Sequence, residues 1–122
     1  MKRVLVIDDN SDILWVVSII LKKYDFEVMA VPGGQEALKK VKTFSPDVIL
    51  LDVFLSGMDG IEVCNKLKRN SLTSEIPIIM FSAHTSFKDV SQFCQADDFI
   101  SKPFDVHELV EKIQDHIVAK SD

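Results

Sequence analysis

The chain is 122 residues long, 47% hydrophobic and 27% charged, with a formal net charge of −5 and a pI near 5.1; these figures suit one globular domain able to bury a real core. The acidic balance gives a long-range field of the wrong sign for nucleic acid or an anionic membrane, and favours a basic partner or a cation instead. Met1-Lys2-Arg3 before Val4-Leu5-Val6-Ile7 imitates the start of a secretory signal, but the apolar run stops at Asp8, well short of an h-region. No other segment approaches a membrane span, and the cytosol is the default compartment.

Short apolar runs alternate with longer segments of helical period. Residues 3–7 predict a first strand that ends on two adjacent carboxylates, Asp8 and Asp9. Residues 11–24 predict a helix that is apolar nearly all round, through Ile13, Leu14, Trp15, Val16, Val17, Ile19, Ile20 and Leu21. Val17 and Leu21 are expected against a sheet; neighbouring segments cover the remainder, or it is an exposed patch of the kind that marks a partner site. A strand over 27–30, a helix over 35–44, a strand over 48–53 and a helix over 61–69 follow. Then come a strand over 78–81, a helix over 87–95 and a strand over 98–100. Ile49-Leu50-Leu51 and Ile78-Ile79-Met80-Phe81 are continuously apolar, as parallel strands covered on both faces should be. The helix over 106–119 has the cleanest period, with Val106, Leu109, Val110, Ile113, Ile117 and Val118 on one side. Asp105 is its expected N-cap, with Glu108 completing a capping-box-like pair.

Gly33, Gly34, Gly57 and Gly60, with Pro32, Pro46, Pro77 and Pro103, punctuate the joins. Cys64 and Cys94 lie far apart, form no metal-ligand spacing, and read as reduced, buried thiols. His107 and His116 read as surface helix residues outside any ligand cluster, His116 near a helix C-terminus where positive charge is welcome. Five strand–helix units in succession predict an open, doubly wound α/β fold. Its five-stranded parallel sheet has flavodoxin-like (βα)5 topology, with residues 1–122 forming one domain.

Open α/β sheets bind ligands beyond the carboxyl ends of their strands. Asp8 and Asp9 close the first strand, Asp52 stands near the end of the third, Ser82 follows the fourth and Lys102 the fifth, so all five converge on one edge. Three carboxylates there repel unless protonated or joined by a cation, and Mg²⁺ suits an all-oxygen set that leaves room for water or phosphate. Lys102 supplies a point charge for a phosphoryl group, and the Ser82 hydroxyl can donate to one of its oxygens.

Over essentially its whole length the chain resembles the receiver domain of two-component response regulators. The matching stretches are VLVIDDN, SPDVILLDV, GMDGIEV, IPIIMFSA and ADDFISKPF, in that order. The resemblance implies that Asp52 accepts a phosphoryl group from a sensor histidine kinase, a histidine phosphotransfer protein or a small acyl phosphate, with Mg²⁺ required. It implies Asp9 and Asp52 as direct metal ligands, Asp8 mainly through water, and the Phe54 backbone carbonyl as a further ligand. Ser82 and Lys102 would hold the phosphoryl oxygens, and Lys102-Pro103 would be a cis peptide. On phosphorylation Ser82 would move and Phe99 swing inward, reshaping the face made by the fourth helix, fifth strand and fifth helix for an output partner or attached effector domain. The domain would catalyse its own modification and its own dephosphorylation rather than turn over a substrate.

Several residues depart from the family pattern. Phe54 and His84 occupy places that often tune attack of water on the phosphoryl group. Ser56 stands where proline is usual, and Asp25 and Gln95 where glycine is frequent, so a left-handed backbone at either would be strained. Leu14, Trp15 and Ser18 replace the usual charges on the first helix, which makes Ile13, Leu14, Trp15 and Ser18 the expected kinase-docking surface. A haloacid-dehalogenase-type phosphatase would need a second Asp where Phe54 stands. A nucleotide-binding flavodoxin-like module would want a phosphate-cradling first loop, and Asp8-Asp9-Asn10 repels phosphate instead. A pseudo-receiver would have lost part of the acid–lysine set. The chain ends soon after its last helix, consistent with a stand-alone receiver or one excised from a longer regulator.

Overall fold

The computed structural model of the protein describes residues 1–55 and 57–121, with side chains as far as Ile117. The expectations for Ser56 and for the Val118 side chain lie outside the described residues. Five strands, β1 (Arg3–Ile7), β2 (Glu27–Val31), β3 (Val48–Asp52), β4 (Ile78–Ser82) and β5 (Asp98–Ser101), form one parallel sheet in the order β2-β1-β3-β4-β5. Between and after them run α1 (Ser11–Lys23), α2 (Gly34–Phe44), α3 (Gly60–Arg69), α4 (Phe87–Ser91) and α5 (Val106–Ser121). This is the doubly wound architecture expected from the alternation of strand and helix patterns.

The two-residue period of the strands divides the core into two layers. Leu5, Ile7, Ile49, Leu51, Ile78 and Met80 point to the side that carries Ala37 and Val41 of α2, Val63 and Leu67 of α3 and Val90 of α4. Val4, Val6, Val48, Leu50, Ile79 and Phe81 point the other way, onto Val17 and Leu21 of α1 and Leu109, Ile113 and Ile117 of α5. Because both faces are covered, every residue of β3 and β4 is buried.

Helix ends follow local chemistry. The Asn10 side chain accepts the N–H groups of Asp12 and Ile13 and starts α1, and the Asp59 side chain accepts that of Ile61 and starts α3. Asp105 Oδ1 accepts the N–H groups of His107 (2.7 Å) and Glu108 (3.2 Å), as its N-cap pattern predicts. Asp25 does adopt the left-handed conformation (φ 67°), but Gln95 does not; Ser45, at the end of α2, takes it instead (φ 53°). The helix expected over 87–95 is shorter than its pattern implies. The Val90 carbonyl receives the N–H groups of both Phe93 and Cys94, and this double acceptance closes α4 after five residues. Among the described residues no helix is long and apolar enough to cross a membrane.

Candidate phosphoacceptor site

β1 and β3 are neighbours, and the chain leaves β1 toward β2 on one side and returns to β3 on the other. The crevice beyond their carboxyl ends is therefore the topological switch point of the sheet. Asp8 stands there with no exposed surface, its backbone N–H held by the Val31 carbonyl at 3.2 Å and its Oδ1 accepting the Asn10 N–H at 2.9 Å. Asp52 ends β3 and is 5% exposed. One carboxylate oxygen from each of Asp8, Asp9 and Asp52 falls within 4.8 Å of the others, Asp9 being the exposed member.

Lys102 comes from beyond β5, where its backbone N–H donates to the Ser82 carbonyl at 3.0 Å and a cis peptide joins it to Pro103. Its Nζ donates to Asp8 Oδ2 at 2.8 Å, lies 3.6 Å from Asp52 Oδ2, and sits 4.4 Å from the centre of the Phe81 ring. Lys102 does not offset what opposes ionisation of Asp52. Burial, then the neighbouring Asp8, push Asp52 up to about 6, against the opposing pull of Lys102 and of the Phe54 N–H, with Asp9 adding to the rise. A hard-oxygen cluster whose central carboxylate is disfavoured by burial and a like charge fits a divalent cation such as Mg²⁺.

α3 begins directly over Asp52. A Cβ added at Gly60 would run into the Asp52 carbonyl oxygen, so only glycine lets the helix N-terminus approach this closely, and its N–H donates to the Val53 carbonyl at 3.0 Å. Between that helix and Asp9 opens a hollow of about 290 Å³ lined by Phe54, Leu55, Gly57 and Asp59. Ser82 is buried across the site, its Oγ accepting the His84 N–H at 3.1 Å. The rings of Phe54 and His84 meet over the loops with centroids 6.4 Å apart.

The profile of the response regulator receiver domain family matches residues 4–114. The chain belongs to that family. It is 37% identical over 115 residues to the DNA-binding response regulator MtrA of Mycobacterium tuberculosis (strain H37Rv), covering 93% of this chain and 49% of that one. It is 36% identical over the same length to the alkaline phosphatase synthesis transcriptional regulatory protein PhoP of Bacillus subtilis, covering 93% and 47%. This receiver domain thus spans about half the length of the curated relatives it matches. Among solved structures, a CheY-like receiver domain protein from Methanospirillum hungatei superposes with a TM-score of 0.91 at 28% identity, covering 99% of this chain and 97% of that one. The chemotaxis protein CheY4 of Vibrio cholerae gives 0.87 at 32% identity, covering 93% and 97%. The protein is a receiver domain of two-component signalling, a class that generally binds Mg²⁺ in an acidic pocket like the Asp8–Asp9–Asp52 cluster.

Several contacts of this receiver domain were not foreseen from the sequence. Phe99 is buried and stacks on Phe87 of α4, centroids 6.3 Å apart and planes 11° from parallel. The Phe99 carbonyl accepts from Lys112 Nζ of α5 at 2.8 Å, and the same Nζ reaches Asp98 Oδ1 at 3.0 Å. His116 is not a plain surface residue: its Nε2 lies 3.0 Å from Asp98 Oδ2. Burial opposes ionisation of Asp98, but the Phe99 N–H, His116 and Lys112 together outweigh it and hold the carboxyl below its ordinary range. On α1, Trp15 is 68% exposed and Val16 and Ile19 are exposed beside it, whereas Ile13 and Leu14 pack partly against the core.

Proposed function

We propose that this receiver domain accepts a phosphoryl group on Asp52 and passes the change to its α4–β5–α5 face. The observation that carries the reading is the buried Asp52 carboxylate set between Lys102 and the Asp8–Asp9 pair. An Asp52 oxygen attacks phosphorus in line, and the bond to the donor histidine nitrogen or acyl oxygen breaks. Positioning and charge neutralisation suffice for this transfer, with no acid or base needed. Mg²⁺, held by Asp9, Asp52 and the Phe54 carbonyl, with Asp8 mainly through water, would neutralise charge on the phosphoryl oxygens. Lys102 turns from Asp8 to the incoming anion, and the Ser82 hydroxyl donates to it after releasing the His84 N–H. Movement of Ser82 toward the phosphoryl group and of Phe99 with its Phe87 partner then favours one packing of the α4–β5–α5 face. Incubation with acetyl phosphate and Mg²⁺ should add one phosphoryl mass to the intact protein; Asp52→Ala should add none, and an undiminished adduct would reject the assignment.

The bulky Phe54 ring, two residues after Asp52 and beside the His84 ring, is expected to obstruct the water that would hydrolyse the phosphorylated state and so to lengthen its life. Phe54→Asn is expected to shorten the lifetime several-fold when loss of phosphate is timed; an unchanged lifetime removes that role.

Response regulators interact with histidine kinases and output domains. The donor here is a sensor histidine kinase or histidine phosphotransfer protein docking on Ile13, Leu14, Trp15 and Ser18, with Val16 and Ile19 extending the patch. Trp15→Ala should slow transfer from the kinase by about tenfold, as loss of an aromatic anchor does, while uptake from acetyl phosphate stays at the wild-type rate. Equal rates from the kinase would move the docking surface elsewhere. The remaining parts of this reading are a single domain over 1–122, a cytoplasmic setting, and no direct nucleic-acid contact by the domain itself. The net charge of −5 supports the last of these.

A further inference from the structure

Two side chains tie α3 to the segment after α4: Lys68 Nζ donates to Asp97 Oδ2 at 2.8 Å, and the Asn65 amide donates to the Phe93 carbonyl at 2.9 Å. Each residue of the second pair, Asn65 and Phe93, has a cysteine as its chain neighbour. Cys64 and Cys94 are both free, both buried and members of the same core cluster. The interaction between the two thiols is the largest influence on each, holding Cys64 far above the ordinary thiol range and drawing Cys94 down to about 7. Cys94 also lines a surface hollow of about 410 Å³, beside Asn65, Lys68 and Phe93. Cys94 keeps 6% of its surface exposed, and this hollow is the path a small oxidant would take to it.

We propose that Cys64 and Cys94 are a reversible modification site, closing to an intramolecular disulfide under hydrogen peroxide and reopening with thiol reductant. The Cys94 thiolate attacks one peroxide oxygen, the O–O bond breaks, and the departing hydroxide takes up a proton as water, leaving Cys94 as a sulfenic acid. The neutral sulfenic acid no longer imposes a negative charge on Cys64. The Cys64 sulfur then attacks the Cys94 sulfur; the S–S bond forms, the S–O bond breaks, and the hydroxyl leaves with the Cys64 proton as a second water. Two thiols are oxidised by two electrons and one peroxide is reduced. The bond would pin the stretch between α4 and β5 to α3, and on the phosphoacceptor reading above it would thereby restrain the face that answers phosphorylation.

The test exposes the full chain to hydrogen peroxide under native conditions, quenches with catalase, unfolds it in guanidinium with N-ethylmaleimide, and weighs it intact. The expected species is a monomer lighter by two hydrogens, carrying no maleimide and restored to two alkylated thiols by dithiothreitol. Cys64→Ala should stop at one added oxygen on Cys94, and Cys94→Ala should keep an unoxidised Cys64. The wild-type mass decides the matter even if a variant folds poorly. Two free thiols after peroxide, added oxygen without loss of hydrogen, or a disulfide joining two chains would each overturn the proposal. None of these outcomes depends on phosphoryl uptake, so the two readings fail separately.

Discussion

Asp52→Asn is expected to abolish phosphoryl uptake and yet, without divalent cations, to raise the stability of the fold near pH 7 by about 3 kcal/mol. Burial and the Asp8 charge raise the Asp52 carboxyl from 3.8 to about 6 in the folded chain. Between those two values the folded protein keeps a proton that the unfolded chain has already released, so stability falls as pH rises through the window. Above about 6 both states are ionised and the full cost remains. Below 3.8 both are protonated and the cost vanishes. An asparagine keeps the shape and removes this titration, so the variant should match wild type near pH 3.5 and draw ahead as pH rises to 7. Urea unfolding at the two pH values, with and without Mg²⁺, reads the effect, and Mg²⁺ should close the gap at pH 7 by binding the wild-type cluster. Equal stabilities at pH 7 without metal would mean that the acceptor is not held under electrostatic strain.

That strain explains why the acidic cluster was legible in the sequence. A lone Asp at a strand end is an ordinary turn residue, but several at neighbouring strand ends with a lysine are not, and strand ends can be located from runs such as Ile49-Leu50-Leu51. Because strand–helix alternation makes the strands parallel, their carboxyl ends, and with them Asp8, Asp9, Asp52, Ser82 and Lys102, must share an edge. The helix over 87–95 misled because its apolar residues continue at helical spacing after the Val90 carbonyl has closed the ladder. The Phe87–Phe99 stack, the Asp98–Lys112–His116 group and the Cys64–Cys94 contact were hidden for a different reason. Each joins residues from different elements whose individual spacing is ordinary, so nothing local distinguishes them before the elements pack. Asn10 is an intermediate case, a helix-capping residue visible in the sequence but overshadowed by the acidic pair before it.

Lys102→Met should be the most destabilising single change at the site. Nζ makes a 2.8 Å ion pair with Asp8, whose side chain has no exposed surface, and lies 3.6 Å from Asp52. Removing one partner of a buried pair leaves the other uncompensated, a loss of about 3–5 kcal/mol. Methionine retains a long apolar stem against the Phe81 ring, so the loss reports the charge rather than an empty space. With the lysine's lowering influence gone, Asp52 should rise beyond about 6, and the variant should regain stability as the solution is acidified. Mg²⁺ should recover much of the stability at pH 7, because a divalent cation compensates the same carboxylates. It should not recover the chemistry. Uptake from acetyl phosphate is expected to stay on the order of a hundredfold slower, the usual scale when a donor aimed at transition-state charge is lost. Stability and uptake measured on one preparation separate the roles: if Mg²⁺ restored both, Lys102 would serve only to hold the carboxylates together, and the phosphoryl group would need another cation at the end of β5.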